Sequence, residues 1–140
     1  MPPPRPQIDK SQYELLAALR GALRAFLNFS QGAALAAGLT PQQHQALLAI
    51  KGFPGRDHAS IGELAGCLHL RHHSAVGLAN RLVARGLLRK TRSQDDRRRM
   101  DLRLTRRGEA VIERLAAVHV DELRQRGPQL HRLVGSMIGR

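Results

Sequence analysis

The order of the structural elements is decided by residues 60–105, which read SIGELAGCLHLRHHSAVGLANRLVARGLLRKTRSQDDRRRMDLRLT. Ser60 and Glu63 have the spacing of a capping box, in which each side chain bonds the main-chain N–H of the other at the start of a helix. A short helix is therefore predicted here. A tight connection at 69–71 leads to a second helix from about His72 to Arg85.

The hydrophobic period changes after this second helix, which Gly86 ends. From Arg99 to Leu104 charged and apolar residues alternate, which is the period of a half-buried strand with its charged residues facing solvent. Residues 87–92 supply the partner strand, and the polar turn 93–96 lies between the two. The pattern predicts a short β-hairpin whose tip carries Arg97 and Arg98.

Long amphipathic helices are predicted on both sides of this stretch. Apolar residues recur at helical spacing from Asp9 to about Ala37, and Thr40 with Gln43 forms another capping box. After Thr105 a helix is predicted to run to about Arg126, where Gly127-Pro128 interrupts it before a last short helix.

The net charge of the 140-residue chain is +12, with 23 basic and 11 acidic residues. Residues 71–107 alone hold 12 basic and 3 acidic side chains, a net charge of +9. Nearly all the basic residues are arginines, whose planar guanidinium matches phosphate and guanine edges. The charge makes a polyanion the leading candidate partner.

Several protein classes are excluded by the same inspection. A single cysteine rules out an intramolecular disulfide and a cysteine-rich zinc module. No apolar run approaches the roughly 20 residues that span a bilayer. The proline-rich N-terminus lacks the apolar region of a secretory signal and is predicted as a disordered tail. We expect a soluble, cytoplasmic protein.

The order helix, turn, helix and hairpin predicts a winged helix-turn-helix, whose second helix enters the major groove of double-stranded DNA. Asn can pair with adenine and Arg with guanine through two hydrogen bonds, and other basic side chains meet phosphates. For each side chain the alternative is a solvated helix face, and for Arg81 it is an ion pair within the domain. The predicted DNA-binding residues of this helix are Arg71, His72, His73, Ser74, Gly77, Asn80 and Arg81.

The hairpin is predicted to act as the wing. Arg98 at its tip is expected to enter the narrow minor groove, where negative potential attracts arginine. Asp96 lies two residues earlier, so its carboxylate could brace the Arg98 guanidinium. Arg97 completes the predicted contacts, and the alternative is a merely solvated arginine cluster.

Three segments resemble the MarR-type transcription regulators. Residues 95–108 are similar to the wing signature of that family, residues 39–43 to the start of its second helix, and residues 73–87 to its recognition helix. The resemblance covers nearly the whole chain. It implies a homodimer that binds a pseudo-palindromic operator, usually as a repressor, with Asp96 and Arg98 as the wing pair.

The outer helices are predicted to pair two copies of the chain. A winged unit at 40–105 cannot cover the apolar stripes of the helices on both sides, and exposed stripes of that size are a liability on a monomer. The predicted organisation is a tail at 1–8, a dimerisation helix at 9–39, the DNA-binding unit at 40–105, and linking and dimerisation helices at 106–140. The predicted dimerisation residues are Leu15, Leu19, Leu130, Leu133 and Met137.

An effector site is the least determined feature. The resemblance implies that many relatives bind small anionic or phenolic ligands between the dimer region and the winged unit. The candidate lining residues are Phe26, Phe29, His44 and Leu48, with plain core packing as the alternative.

Other interpretations compete with DNA recognition. His69, His72 and His73 could hold a metal ion, but no carboxylate lies nearby to complete a hydrolytic zinc site. Cys67 could be a redox switch, although a buried inert thiol is the favoured interpretation. A nonspecific nucleic-acid binder remains the main alternative. No cofactor, metal or catalytic residue is predicted, so the chain is not predicted to be an enzyme.

Overall fold

The computed structural model of the protein describes residues 1–139. Within that range it contains α1 (Lys10–Ala36), α2 (Pro41–Lys51), β1 (His58–Ser60), α3 (Ile61–Leu68), α4 (His72–Ala84), β2 (Leu88–Arg92), β3 (Met100–Leu104) and α5 (Arg106–Ile138). The predicted winged helix-turn-helix is confirmed, with α3 and α4 as its two helices and β2–β3 as the wing.

Both predicted capping boxes are confirmed. The Thr40 hydroxyl accepts from the N–H of Gln43 at 3.1 Å, and the Gln43 side chain accepts in return from the N–H of Thr40. Ser60 and Glu63 repeat the arrangement at the start of α3. Each box satisfies two main-chain donors that the first helical turn leaves unpaired.

The sheet has three strands in the order β1-β3-β2, all antiparallel, rather than the two of a simple hairpin. The sequence prediction missed β1 because three residues carry no readable alternation. With β1 in place β3 becomes the central strand, and Asp101, predicted to face solvent, is buried at 4% exposure. Its carboxylate lies 3.3 Å from Arg99 Nε, whose guanidinium offsets its charge, and 3.8 Å from His58 Nε2.

The chain divides into two compact units. The first, which we call the core unit, comprises residues 31–117 and holds a continuous aliphatic core. It contains the whole winged helix-turn-helix. The second, the terminal unit, comprises residues 1–30 and the chain from residue 118 on. The helices α1 and α5 each contribute residues to both units.

The terminal unit has no buried residue in its described part, residues 1–30 and 118–139. Leu16, Leu23 and Leu27 on α1 are 46–58% exposed, and Leu123 on α5 is 42% exposed. Soluble monomers rarely expose apolar residues in stripes of this kind. The unit therefore lacks a core of its own, although it consists of long helices.

The predicted break at Gly127-Pro128 is wrong, because α5 runs without interruption from Arg106 to Ile138 with Pro128 inside it. Proline removes one helical N–H and leaves the carbonyl four residues earlier without its donor. Pro128 is exposed, so water can satisfy that carbonyl. Among residues 1–139 no helix is long and apolar enough to cross a membrane.

The Ser60 capping box makes stability depend on pH. Burial acts to raise the pKa of Glu63, but the main-chain N–H of Ser60, the Arg56 guanidinium and the Ser60 hydroxyl outweigh it and lower the pKa below its ordinary value. A carboxylate of this kind stabilises the fold above its unfolded pKa, and the contribution is lost as the pH falls through the native pKa.

We expect Glu63→Gln to lower the free energy of unfolding at pH 7 by about 1 kcal/mol, because the amide keeps the cap and loses the charge. The difference from wild type should be smaller at pH 3 than at pH 7, because the contribution of the carboxylate is lost as the pH falls through its native pKa. Urea denaturation at both pH values measures it. Glu113→Gln removes an exposed carboxylate and should change little at either pH; an undiminished deficit of Glu63→Gln at pH 3 would contradict the linkage.

Candidate nucleic-acid interface

The second helix of the motif, α4, buries one side and exposes the other. Its buried residues are Ala75, Leu78, Ala79 and Leu82. At 100° per residue, the direction opposite to them is occupied by His73, Gly77, Asn80 and Ala84. Arg71 is the N-cap residue of α4 and has an extended backbone. Its side chain and that of His72 are exposed, whereas Ser74 is half-buried. Of the predicted DNA-binding residues, His73, Gly77 and Asn80 therefore lie on the outward face of α4 and Arg81 beside it, whereas Arg71, His72 and Ser74 lie at the start of the helix, away from the centre of that face.

Gly77 lies on this outward face, and Arg81 lies to one side of it. A Cβ atom built on Gly77 would lie 3.3 Å from Arg81 Nη1, so the guanidinium lies back along the helix across the glycine. Within residues 1–139 Arg81 forms no ion pair, so the alternative of pairing inside the domain gains no support. Its donors remain available to a partner.

Asn80, one residue before Arg81, is held by a side chain from the wing. Lys90 Nζ on β2 donates to Asn80 Oδ1 at 2.5 Å. Because an ammonium group only donates, the atom it meets must be the amide oxygen, and the orientation of the Asn80 amide follows. Its NH2 group is the end left for a partner.

The wing tip is ordered by its own hydrogen bonds. The buried Ser93 hydroxyl accepts from the N–H groups of Asp95 and Asp96 at 3.2 and 3.3 Å. Arg92 Nη1 donates to the carbonyl of Arg97 at 2.7 Å. Arg97 and Arg98 are both exposed at the tip, as the sequence predicted.

The predicted brace between Asp96 and the Arg98 guanidinium is wrong in its details. Asp96 Oδ1 accepts instead from the main-chain N–H of Arg98 at 3.0 Å. A carboxylate two residues before an N–H readily forms such a turn, and this competes with a bond to the longer side chain. Asp96 thus shapes the tip backbone, and the Arg98 side chain is left exposed.

No carboxylate interrupts the positive charge of this surface along the chain between Glu63 and Asp95. Glu63 is paired with Arg56, and Asp101 is buried. The exposed face of α4 and the wing therefore present guanidinium, ammonium and amide donors, and Asp95 and Asp96 at the wing tip are the exposed carboxylates beside them. Phosphates and the acceptor edges of bases are the groups that such a surface can bind.

The other predicted site residues fall in both units. Phe26 and Phe29 belong to the terminal unit, where both pack edge-on against the His119 ring at centroid distances of 6.0 and 5.4 Å. His44 and Leu48 belong to the core unit, where His44 is buried and Leu48 is 49% exposed. The predicted dimerisation residues Leu15, Leu19, Leu130, Leu133 and Met137 are all half-buried, and the more exposed apolar residues lie beside them.

The structure also gives the positions of the three histidines considered as a metal site and of the cysteine considered as a redox switch. His69 caps α3 with a left-handed backbone, at φ 53°, while His72 and His73 begin α4. In the part of the chain that the structure describes, no group of three or more His, Cys, Asp or Glu side chains could hold a metal ion. The prediction that Cys67 is buried is wrong, because its side chain is exposed on the outer side of α3.

Sequence reasoning missed two residues that matter to the interface, Lys90 and Arg92. Both lie on β2, and in the sequence they counted only toward the positive charge of residues 71–107. Lys90 orients Asn80, and Arg92 holds the wing tip. Their alternate positions on a strand next to the second helix were a usable signal, since residues two apart on a strand point to the same side.

The chain is similar to known proteins of one family. Residues 37–99 match the model of the MarR family. No curated protein matches the chain. The transcriptional regulator Tm0710 from Thermotoga maritima is 28% identical, with a TM-score of 0.66 over 86% of this chain and 82% of that one.

Two further solved structures share the fold. AbsC, a MarR family transcriptional regulator from Streptomyces coelicolor, has a TM-score of 0.70 at 18% identity, covering 89% of this chain and 84% of its own. A mutant of S. aureus MepR bound to an oligodeoxyribonucleotide has a TM-score of 0.68 at 18% identity, covering 91% and 96%. The resemblance read from the sequence is confirmed.

Proposed function

We propose that this chain, whose residues 37–99 match the model of the MarR family, acts as a homodimeric DNA-binding repressor of a pseudo-palindromic operator. The observation that carries the proposal is the pairing of an outward α4 face, rich in donors, with an arginine-tipped wing next to it in the chain. The first suits the major groove and the second the minor groove. The MepR relative bound to an oligodeoxyribonucleotide supports the same assignment.

The homodimer is supported by the terminal unit. With no buried residue between 1 and 30 or between 118 and 139, its helices need another surface to cover their apolar side chains. A second copy of the chain supplies a matching surface through two-fold symmetry. Two recognition helices related in this way reach successive major grooves about one helical turn apart. Release by a small anionic or phenolic ligand stays a prediction.

The test begins with selection of bound duplexes from a random pool by the full-length protein. We expect an enriched inverted repeat that binds roughly 10³-fold or more tightly than a scrambled duplex at physiological salt. Equal affinity for both duplexes would favour the alternative, a nonspecific basic nucleic-acid-binding protein.

The wing is tested on the same operator with Arg98→Ala. We expect about a tenfold loss of operator affinity, because a groove contact and its charge disappear together. Arg114→Ala removes an exposed positive charge from α5 and serves as the control for net charge. Equal losses in the two variants would mean that Arg98 acts only through long-range attraction.

A further inference from the structure

The amide of Asn80 is already bonded to a donor from the wing before it meets DNA. Asparagine recognises adenine by donating from its NH2 group to N7 and accepting from the N6 amino group with its oxygen. Here Asn80 Oδ1 already accepts from Lys90 Nζ at 2.5 Å. One of the two lone pairs of this oxygen is therefore already used, and the ammonium group beside it is a donor that competes with the adenine N6 amino group for the same atom.

The same hydrogen bond places a second donor beside the amide. The Lys90 ammonium has three N–H groups and uses one for Asn80, which leaves two. Asn80 Nδ2 and Lys90 Nζ together form a pair of donors on the outward side of α4. Both side chains are exposed, so a partner can reach them from solvent.

Only one base offers two acceptors side by side in the major groove. Guanine presents N7 and O6, whereas adenine presents one acceptor and one donor, and cytosine presents a donor amino group. A donor pair faces repulsion from the adenine and cytosine amino groups and finds complementary atoms on guanine. The preference for guanine over adenine thus follows from the match of two donors to two acceptors.

Resting on the DNA-binding function proposed above, we propose that Asn80 and Lys90 act together as a guanine reader. One position in each operator half-site is then guanine, selected against adenine by Lys90 through its hold on the Asn80 oxygen. Arg81, laid across Gly77, adds a further donor fork to the same face. Lys90 is thus a specificity-determining residue even though it lies on the wing strand β2.

The experiment compares Lys90→Met with Arg89→Met, its matched control. Each variant removes one exposed positive charge from β2, but only Lys90→Met frees the Asn80 oxygen. Both are used, with wild type, to select duplexes from a random pool. We expect Arg89→Met to keep the wild-type guanine, whereas Lys90→Met shifts that position toward adenine by about tenfold in relative affinity.

Two further measurements secure the result. Replacing the selected guanine by 7-deazaguanine, which lacks the N7 acceptor, should weaken wild-type binding by about tenfold. Asn80→Ala should lose discrimination at that position and keep it elsewhere, which tests the reader even where Lys90→Met folds poorly.

The proposal is overturned where Lys90→Met and Arg89→Met select the same base, or where wild type selects adenine through Asn80. In those outcomes the protein still binds a defined operator, so the proposed function stands. Failure of wild type to enrich any sequence would overturn both the guanine reader and the proposed function.

Discussion

Leu23→Glu should convert the protein to a monomer and reduce operator affinity by roughly 10³-fold, to the level of nonspecific binding. Leu23 lies 46% exposed on α1, in a row with Leu16 and Leu27. A glutamate there would bring two like charges into an apolar interface between copies, where burying an unpaired charge is costly. Light scattering at micromolar concentration gives the mass, and fluorescence anisotropy gives the affinity.

The control for this variant is Asn28→Glu. It adds the same negative charge to the same helix, but Asn28 shares the polar side of α1 with Lys10 and Glu14. We expect it to stay dimeric and to lose only the small affinity that one charge accounts for. A dimeric Leu23→Glu that still binds its operator would exclude this face of α1 as the dimer interface.

Gly108→Ala should destabilise the core unit by about 3 kcal/mol or more, a large effect for one methyl group. A Cβ atom on Gly108 would lie 2.1 Å from the carbonyl oxygen of Leu87, well inside contact distance. The same oxygen accepts from the N–H of Thr105 at 3.1 Å, so the first turn of α5 is fixed against the start of the wing. Main chain cannot move aside as a flexible side chain would.

Gly66→Ala is the matched control, because Gly66 lies in α3 and a Cβ atom added to it would meet nothing within 4 Å. There the substitution should stabilise the helix, by up to about 1 kcal/mol. Chemical denaturation followed by circular dichroism measures both variants. A Gly108→Ala protein as stable as wild type would mean that α5 and the wing separate easily.

The features predicted correctly from the sequence are those encoded by neighbouring residues. Both capping boxes join residues three apart, and Gly86 ends α4 in the left-handed conformation at φ 74°. The β2–β3 hairpin follows from a two-residue period and a polar turn. Each of these needs only a few adjacent side chains to be recognised, so a single sequence suffices.

The errors concern residues whose surroundings come from elsewhere in the chain. Asp101 was expected to face solvent because its own strand alternates, but β1 makes that strand central and brings His58 to its carboxylate. Cys67 was expected to be buried because its neighbours are apolar. Pro128 was expected to end a helix because local rules disfavour it there. In each case a tertiary or solvent contact overrides the local signal.

The candidate DNA-binding site likewise has features that the sequence predicts and features that depend on distant residues. Its residue types and their place on α4 were readable, since the outward positions of a helix follow from its period. The bond from Lys90 to Asn80 was not, because it joins residues ten apart in different elements. That bond orients the Asn80 amide, so the sequence could point to Asn80 as a candidate and suggest the adenine contact without showing the donor that already meets its oxygen.

The hydrogen bonds within the wing tip have a consequence for the kinetics of binding. Ser93, Asp96 and Arg92 fix the tip backbone in the free protein. The loss of chain entropy that a flexible loop suffers on docking has then largely occurred during folding, so less opposes association. Such preorganisation favours slow dissociation, because a fixed tip keeps its contacts together. The wing should lengthen the residence time of the protein on its site.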